Sequence, residues 1–229
     1  MDFPIRINKY IAHKGYCTRT EADTLIERGS VLINGRKAVL GEKVHEHDTI
    51  EVHTKERAYR YFAFNKPQGV VTHSPQFGEK DAVGASKLWG TFPIGRLDKD
   101  SHGLIILTDD ARVTDRLLNP KYEHEKQYRV TLQQTAPDTF RERMEKGVNI
   151  EGYLTKPCTV RTLSPKKFEI ILTEGKKHQI RRMCAALNTA VADLERIRIM
   201  NIELRDLKEG EYQAITGATL TQFLKSLGL

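Results

Sequence analysis

One carboxylate dominates the chemistry this sequence can offer. In the stretch Gly95-Arg96-Leu97-Asp98-Lys99-Asp100-Ser101-His102-Gly103, an arginine and an aspartate stand two residues apart. Residues 104–107, Leu-Ile-Ile-Leu, follow as a short apolar run that reads as a buried strand. Gly95 and Gly103 bracket the loop, and both can take backbone angles closed to other residues. Asp98 is therefore expected on a loop beside a buried strand, with a guanidinium nearby. A carboxylate held in this way can serve as a nucleophile or a base. Residue types alone leave two further readings: an ordinary polar turn, or a metal pair made by Asp98 and Asp100 for phosphoryl transfer. His45-Glu46-His47-Asp48 also has ligand-type residues, but nothing accompanies it. An exposed strand or turn is expected there, and no metal site.

The elements that must position Asp98 follow from the pattern on either side. Tyr61-Phe62-Ala63-Phe64-Asn65 reads as a strand ending at Lys66-Pro67-Gln68-Gly69, with Val70-Val71-Thr72 as its return. Residues 73–90 read as a loop that carries Trp89. After the apolar run, Asp109-Asp110-Ala111-Arg112 starts a helix with acids in its first turn, and Asn119-Pro120 ends it. A polar helix is expected over 137–146, stopped by Gly147, and a half-buried strand over 168–172. In the run from Gly175 to Cys184, Ile180, Met183, Cys184 and then Leu187 recur at helical spacing, which turns Arg181 to one side. Residues 197–204 and 211–215 read as strands. Leu220, Phe223, Leu224 and Leu227 make a closing amphipathic helix. Strands outnumber helices and do not alternate with them, so the class is α+β with a mostly antiparallel mixed sheet flanked by helices.

The first sixty residues form a separate pattern. Ile7, Tyr10 and Ile11 keep helical spacing up to Gly15, and Thr18-Arg19-Thr20-Glu21 has the spacing of a capping box for a second helix that Gly29 stops. Val31-Leu32-Ile33 followed by Asn34-Gly35 signals a hairpin. Arg6, Lys9, Lys14 and Arg19 run with no acid among them. Such a row can meet phosphates, positioning a nucleic acid without reading its sequence. Residues 54–60 are highly charged and lack an apolar pattern, which divides the chain into domains at 1–58 and 59–229.

Composition narrows the partner. The chain has 229 residues, 39% hydrophobic and 29% charged, with a formal net charge of +7. That excludes a disordered chain and favours a polyanion, most simply nucleic acid. Cys17, Cys158 and Cys184 stand far apart without a Cys-x-x-Cys, against a disulfide framework or a zinc site and in keeping with a reducing cytoplasm. No run approaches bilayer-spanning length, and no apolar leader is seen, so no membrane partner is expected.

Gly95-Arg96-Leu97-Asp98 with Ser101, Gly103-Leu104 and Thr108 resembles the signature of the pseudouridine synthases. Asn65-Lys66-Pro67-x-Gly69, then Lys126-x-Tyr128-x-Val130, and Gln179-Ile180-Arg181-Arg182-Met183 extend the likeness. Arg6 to Ile11, Arg19 to Asp23 and Val31 to Gly35 resemble an S4 RNA-binding domain, as in the ribosomal branch of that family. The resemblance implies a cofactor-free isomerisation of uridine to pseudouridine in RNA, by a monomer. Asp98 would be the catalytic carboxylate, Arg181 its partner and Tyr128 the aromatic of the pocket. Arguments from chemistry agree in part. Guanidinium stays charged and can bind both carboxylate oxygens. Tyrosine, with an ordinary pKa near 10, is poorly matched to base work at neutral pH, so stacking on uracil suits Tyr128 better than taking the C5 proton.

RNA contacts are implied for Arg6, Lys9, Lys14 and Arg19 in the small domain, and for Lys66, Arg96, Lys176, Lys177 and Arg182 in the large one. Arg96 would fill the gap left when the uridine swings out. The 194–201 run, Leu-Glu-Arg-Ile-Arg-Ile-Met-Asn, resembles large-subunit members, pointing to 23S rRNA, with 16S rRNA or a tRNA as alternatives. The departures are Lys176-Lys177-His178 and the loop of residues 73–89. A binder of the S4 type without catalysis is the alternative of another class, but it has no use for Asp98, Tyr128 and Arg181 together. A nucleoside or RNA glycosidase, which also attacks C1′, is the weaker enzyme alternative.

Overall fold

A computed structural model describes residues 3–14, 16–53 and 58–229. The chain divides into two compact units: Met1–Tyr59 with Asp110–Val113 and Leu229, and Arg60–Asp109 with Thr114–Gly228. The expected linker falls largely on 54–57 and the expected helix stop on Gly15, both outside the described residues.

The first unit runs β1 (Ile5–Arg6), α1 (Ile7–His13), α2 (Arg19–Glu27), β2 (Val31–Ile33), β3 (Arg36–Lys37), β4 (Lys43–Val44) and β5 (Ile50–Val52). The capping box forms: the Glu21 amide donates to Thr18 Oγ1 (3.1 Å) and the Thr18 amide to Glu21 Oε2 (3.0 Å). Two orphan donors at the helix start are thereby satisfied. Asn34 and Gly35 both take positive φ, 52° and 77°, the turn that lets β2 fold back on β3. Ile7, Ile11, Ala22 and Val31 close its core. Around His45-Glu46-His47, Asp48 accepts from the His45 amide (2.7 Å) and from Asn34 Nδ2 (2.8 Å), so this acid caps a turn.

The second unit contains β6 (Tyr61–Lys66), α3 (Ala82–Ser86), β7 (Phe92–Ile94), β8 (His102–Thr108), α4 (Arg112–Leu118, whose first residues count with the first unit), β9 (Lys126–Leu132), α5 (Phe140–Glu145), β10 (Asn149–Ile150), β11 (Tyr153–Leu154), β12 (Thr159–Ser164), β13 (Lys167–Leu172), α6 (Gln179–Ala186), β14 (Val191–Ile199), β15 (Ile202–Glu203), β16 (Tyr212–Ala214) and α7 (Gly217–Ser226). One mixed sheet has the order β12-β13-β9-β14-β8-β6-β16, with β15 on β14 and β7 on β8. Its pairs are antiparallel except β14 with β8. The α+β expectation holds.

Leu104, Ile105, Ile106 and Leu107 are each 0% exposed, because β8 is central and covered on both faces. Truncating Ile105 to alanine there should cost about 2–5 kcal/mol. On one side, Phe64, Ile105 and Leu107 pack with Ala82 of α3. Under the other half of the sheet, Val130, Phe168, Ile170 and Leu194 meet Phe140 and Met144 of α5 and Ile180 and Met183 of α6. Helix α5 is thus amphipathic rather than polar.

The sequence reading differs at further points, beginning with helix α3 (Ala82–Ser86), which stands inside the stretch expected as a loop over 73–90. Val70-Val71-Thr72 forms no return strand; only Val71 bridges, to Asp81. The strand expected over 197–204 is instead the end of β14, a reversal at Met200 (φ 50°), and β15. Strand β13 is buried nearly throughout, including Glu169, because arginines cover the acid from its polar face.

Candidate active site

Asp98 lies on the loop between β7 and β8, and the loop is tied down on every side. Leu97 is buried, its amide donating to Thr72 Oγ1 (2.9 Å) while that hydroxyl donates to the Leu97 carbonyl (2.7 Å). Farther along, the Gly69 amide donates to the Lys99 carbonyl (2.8 Å), Gln68 Nε2 to the Asp100 carbonyl (3.3 Å), and the Ser101 amide to the Asp98 carbonyl (3.1 Å). The carboxylate itself keeps 37% of its side-chain surface. It is held by its backbone and open to a substrate.

Beneath this loop, strand register assembles a row. Tyr128 of β9 stands opposite Ile170 of β13 and Arg196 of β14; Arg196 stands beside Gly103 of β8, and Gly103 opposite Lys66 of β6. Directly opposed residues project to one face, about 4.8 Å apart from strand to strand. Tyr128, Arg196 and Lys66 therefore share the face that carries the loop. Gly103 is the gap in the row. A Cβ there would lie 2.4 Å from the Arg196 carbonyl oxygen, and its φ of +101° suits only glycine.

Arg196 joins the row to the loop. It is 2% exposed, donating from Nε to the Leu104 carbonyl (2.7 Å) and from one terminal nitrogen to the Arg96 carbonyl (3.4 Å). Its other terminal nitrogen is buried without a partner. An unpaired guanidinium donor in such a place is costly, and such groups cluster at functional sites.

Lys66 is a correction. An RNA contact was expected, but the side chain is 0% exposed and its ammonium donates to the carbonyls of Pro67 (2.9 Å) and Val70 (2.7 Å). A fully buried ammonium cannot meet a phosphate; it braces the turn at the end of β6. Burial, with the charge of Arg196 adding to it, pushes its pKa down to about 8, while Asp98 is among the acids that pull it back up. Lys126, two residues before Tyr128 on the same face, is pushed to about 8 by burial first and Arg196 second. Sequence reasoning missed this cationic surround, because Arg196 and Lys126 meet only through strand pairing.

Arg181 is a second correction. Expected on the carboxylate of Asp98, its guanidinium instead donates to the Asp100 carbonyl (3.1 Å) and Ser101 Oγ (3.3 Å). It holds the backbone of the loop that bears Asp98. Among the described residues, the ion pair within 4 Å of Asp98 is His178 Nε2 at 3.6 Å. His178 sits at the N-cap of α6 in the left-handed region (φ 52°), a placement no spacing announced.

Arg182 is tied to the fold. Its guanidinium donates to both carboxylate oxygens of Glu151 (2.9 and 3.3 Å) and to the Ile150 carbonyl (3.1 Å). It anchors α6 to the β10–β11 turn and keeps 29% of its side-chain surface. Arg96, Lys176 and Lys177 are exposed, and the Lys176 ammonium lies 4.3 Å from the centroid of the Tyr153 ring. In the small unit, Arg6, Lys9, Lys14 and Arg19 are all exposed. Tyr128 is half-buried against the core under α6.

Residues 60–186 match the family model for RNA pseudouridylate synthases and residues 5–50 that for the S4 domain. The chain is 40% identical to the dual-specificity RNA pseudouridine synthase RluF of Escherichia coli (strain K12), over 98% of this chain and 80% of that one. It is 33% identical to the ribosomal large subunit pseudouridine synthase B of Bacillus subtilis (strain 168), over 92% of each. A crystal structure described as a pseudouridylate synthase matches with a TM-score of 0.69 and 30% identity, covering 97% of this chain and 99% of that one.

Proposed function

Because this chain belongs to the RNA pseudouridine synthase family and isomerises uridine to pseudouridine in RNA, we propose that Asp98 carries the reaction, with Arg181 and Tyr128 completing the site. The observation behind this is the row of Tyr128, Arg196, Gly103 and Lys66 beneath a carboxylate that is clamped by its backbone and open to solvent. The reaction breaks N1–C1′, turns the uracil and joins C5 to C1′, moving the C5 proton to solvent while N1 is reprotonated. A single ionised carboxylate suffices, attacking C1′ or taking a proton at C2′. Arg181 keeps the loop that bears it in place. Tyr128, projecting beside buried Arg196, is suited to stacking on the uracil.

Tritium release from C5-labelled uridine in RNA tests this assignment. Asp98→Asn keeps size and shape but removes the charge. Turnover should fall below about one per cent of wild type with RNA affinity within a few-fold. Residual turnover above that level would move the chemistry to another carboxylate.

The substrate we infer is 23S rRNA, with a tRNA or 16S rRNA as alternatives. Similarity to a large-subunit synthase supports it, and similarity to a relative named as dual-specificity keeps tRNA in view. Loss of a pseudouridine in 23S rRNA from cells lacking the protein would support this; loss only in 16S rRNA or tRNA would overturn it. We further assign RNA binding to residues 1–58 and catalysis to 59–229. Limited proteolysis should cut first near residues 53–61. The free cysteines are in keeping with the cytoplasm, and among the described residues no helix is long and apolar enough to cross a membrane.

A further inference from the structure

We propose that Phe77 is an RNA-stacking residue: its ring, held out beside the catalytic loop, packs on a base flanking the uridine that enters the site. This rests on the reading of Asp98 as the reacting carboxylate.

Phe77 is 108% exposed, a value that means no neighbour shields the ring. Residues 73–78 are all exposed, so the ring stands on a tip of polar chain. A lone apolar residue on a surface is ordinary; what sets this one apart is how the tip is held. At its base, the Val71 amide donates to the Lys80 carbonyl (3.1 Å) and Val71 bridges to Asp81. At its head, the Gln76 amide donates to Glu79 Oε2 (2.9 Å), the Glu79 amide to the Gln76 carbonyl (3.0 Å), and Gly78 turns the chain at φ 82°. Phe77 therefore sits inside a closed four-residue turn.

That turn is fastened to the catalytic loop. Lys99, next to Asp98, donates from Nζ to Glu79 Oε1 at 2.8 Å, and Thr72, just before the tip, exchanges hydrogen bonds with Leu97. The ring is thus two residues from a carboxylate paired with the neighbour of Asp98. Trp89, the other large exposed aromatic of this region, lies elsewhere. Its carbonyl accepts from Arg60, beside the opposite end of β6 from Lys66, roughly 15–20 Å away along a six-residue strand.

A ring carried on a braced backbone turn requires no loop to be ordered on stacking, and every base offers a π-face. Recognition of unpaired bases by stacking is the common mode in RNA binding, and extrusion of a uridine exposes its neighbours. A protein surface could also take an exposed ring, and the test separates the two.

Binding of an unmodified 23S rRNA transcript is measured across 50–200 mM salt, with single-turnover tritium release, for wild type, Phe77→Ala, Phe77→Leu and Phe77→Trp. The alanine and leucine variants should bind about 5- to 100-fold more weakly, the worth of one base–aromatic stack. The tryptophan variant should keep wild-type affinity. The slope of log affinity against log salt should not change, because no phosphate contact is lost. Phe77 touches nothing, so the melting temperature should stay put. Full affinity in Phe77→Leu would mean apolar contact rather than stacking and overturns the proposal; so does a reduced salt slope. Phe77→Ala matching an active wild type overturns it and leaves the Asp98 assignment intact. A wild type inactive on every rRNA and tRNA transcript removes both.

Discussion

The two faces of the β13-β9-β14 sheet are built from the same strands and solve opposite problems. On one face, Arg129 of β9 pairs with Glu169 (3.2 Å) and Glu195 (3.2 Å), Arg161 pairs with Glu169 (2.7 Å), and Arg198 pairs with Glu125 (2.9 Å). Around a shallow cavity of about 290 Å³ each of these charges meets its opposite. Burial would push the Glu169 carboxyl up, but hydrogen bonds from Arg161 and Arg129 more than offset that and leave its pKa below the usual value. On the other face, one residue along each strand, Arg196, Lys126 and Lys66 are cations whose hydrogen bonds go to backbone carbonyls. Two of the three have depressed pKa values. The neutralised face holds a cavity, yet none of the residues assigned to the reaction lines it. Charge left uncompensated, rather than concavity, marks where chemistry happens.

Exchanging arginine for lysine on each face is the strongest way to break that contrast. Arg196→Lys keeps the charge but loses the fork that reaches both Leu104 and Arg96 carbonyls. The catalytic loop should shift, and kcat should fall about 100-fold with KM changed little. Arg129→Lys should change kcat less than two-fold and lower stability by no more than about 1 kcal/mol, its guanidinium being partly solvated. Equal losses of kcat in the two variants would erase the distinction between the faces.

Stability against pH probes the same contrast. Lys66 and Lys126 titrate near 8 when folded and near 10.5 when unfolded. Between those values the unfolded chain holds more protons than the folded one, so their contribution to stability rises with pH and is lost as pH falls through 8. It amounts to at most about 3 kcal/mol per lysine over the window. Urea midpoints taken from pH 8 to 10.5 should climb less steeply in Lys66→Met than in wild type. An unchanged slope would mean that Lys66 is not buried as a cation. On the opposite face, Glu169→Gln should cost about 1–3 kcal/mol through the unpaired arginines, with kcat unaltered below the melting temperature.

How much of this was legible in the sequence depends on distance along the chain. Asp98, its glycines and the apolar run after it are contiguous, and the strand they announce is there. Thr18 and Glu21 are three apart, and their capping box forms as spacing requires. Arg196 and Lys66 are separated by 130 positions and meet only through Gly103, so no local pattern could show that Lys66 is buried and braces a turn. His178 near Asp98 depends on a left-handed residue at the start of α6, and histidine there carries no signature. The missed end of β14 has the same cause, since the positive φ of the turn falls on Met200, a residue type that carries no turn signal, and not on Asn201 beside it. Expectations failed where a residue's role is set by register or by a lone backbone angle.

The smallest effect concerns the charges of the first unit. Arg6, Lys9, Lys14 and Arg19 are exposed, unlike buried Arg196 and Lys66, and the RNA binding assigned to them would be a phosphate contact screened by salt. Lys9→Gln removes one such contact. It should weaken RNA binding only a few-fold at 150 mM salt and lower the magnitude of the salt slope by about one, while kcat at saturating RNA stays at the wild-type value. Lys66→Met, by contrast, should lower kcat and leave the salt slope alone, because a buried ammonium releases no counterion. Titrations of both variants between 50 and 200 mM salt, read together with tritium release, separate a cation that grips RNA from one that shapes the site. A salt slope that drops in Lys66→Met and not in Lys9→Gln would reverse the two assignments.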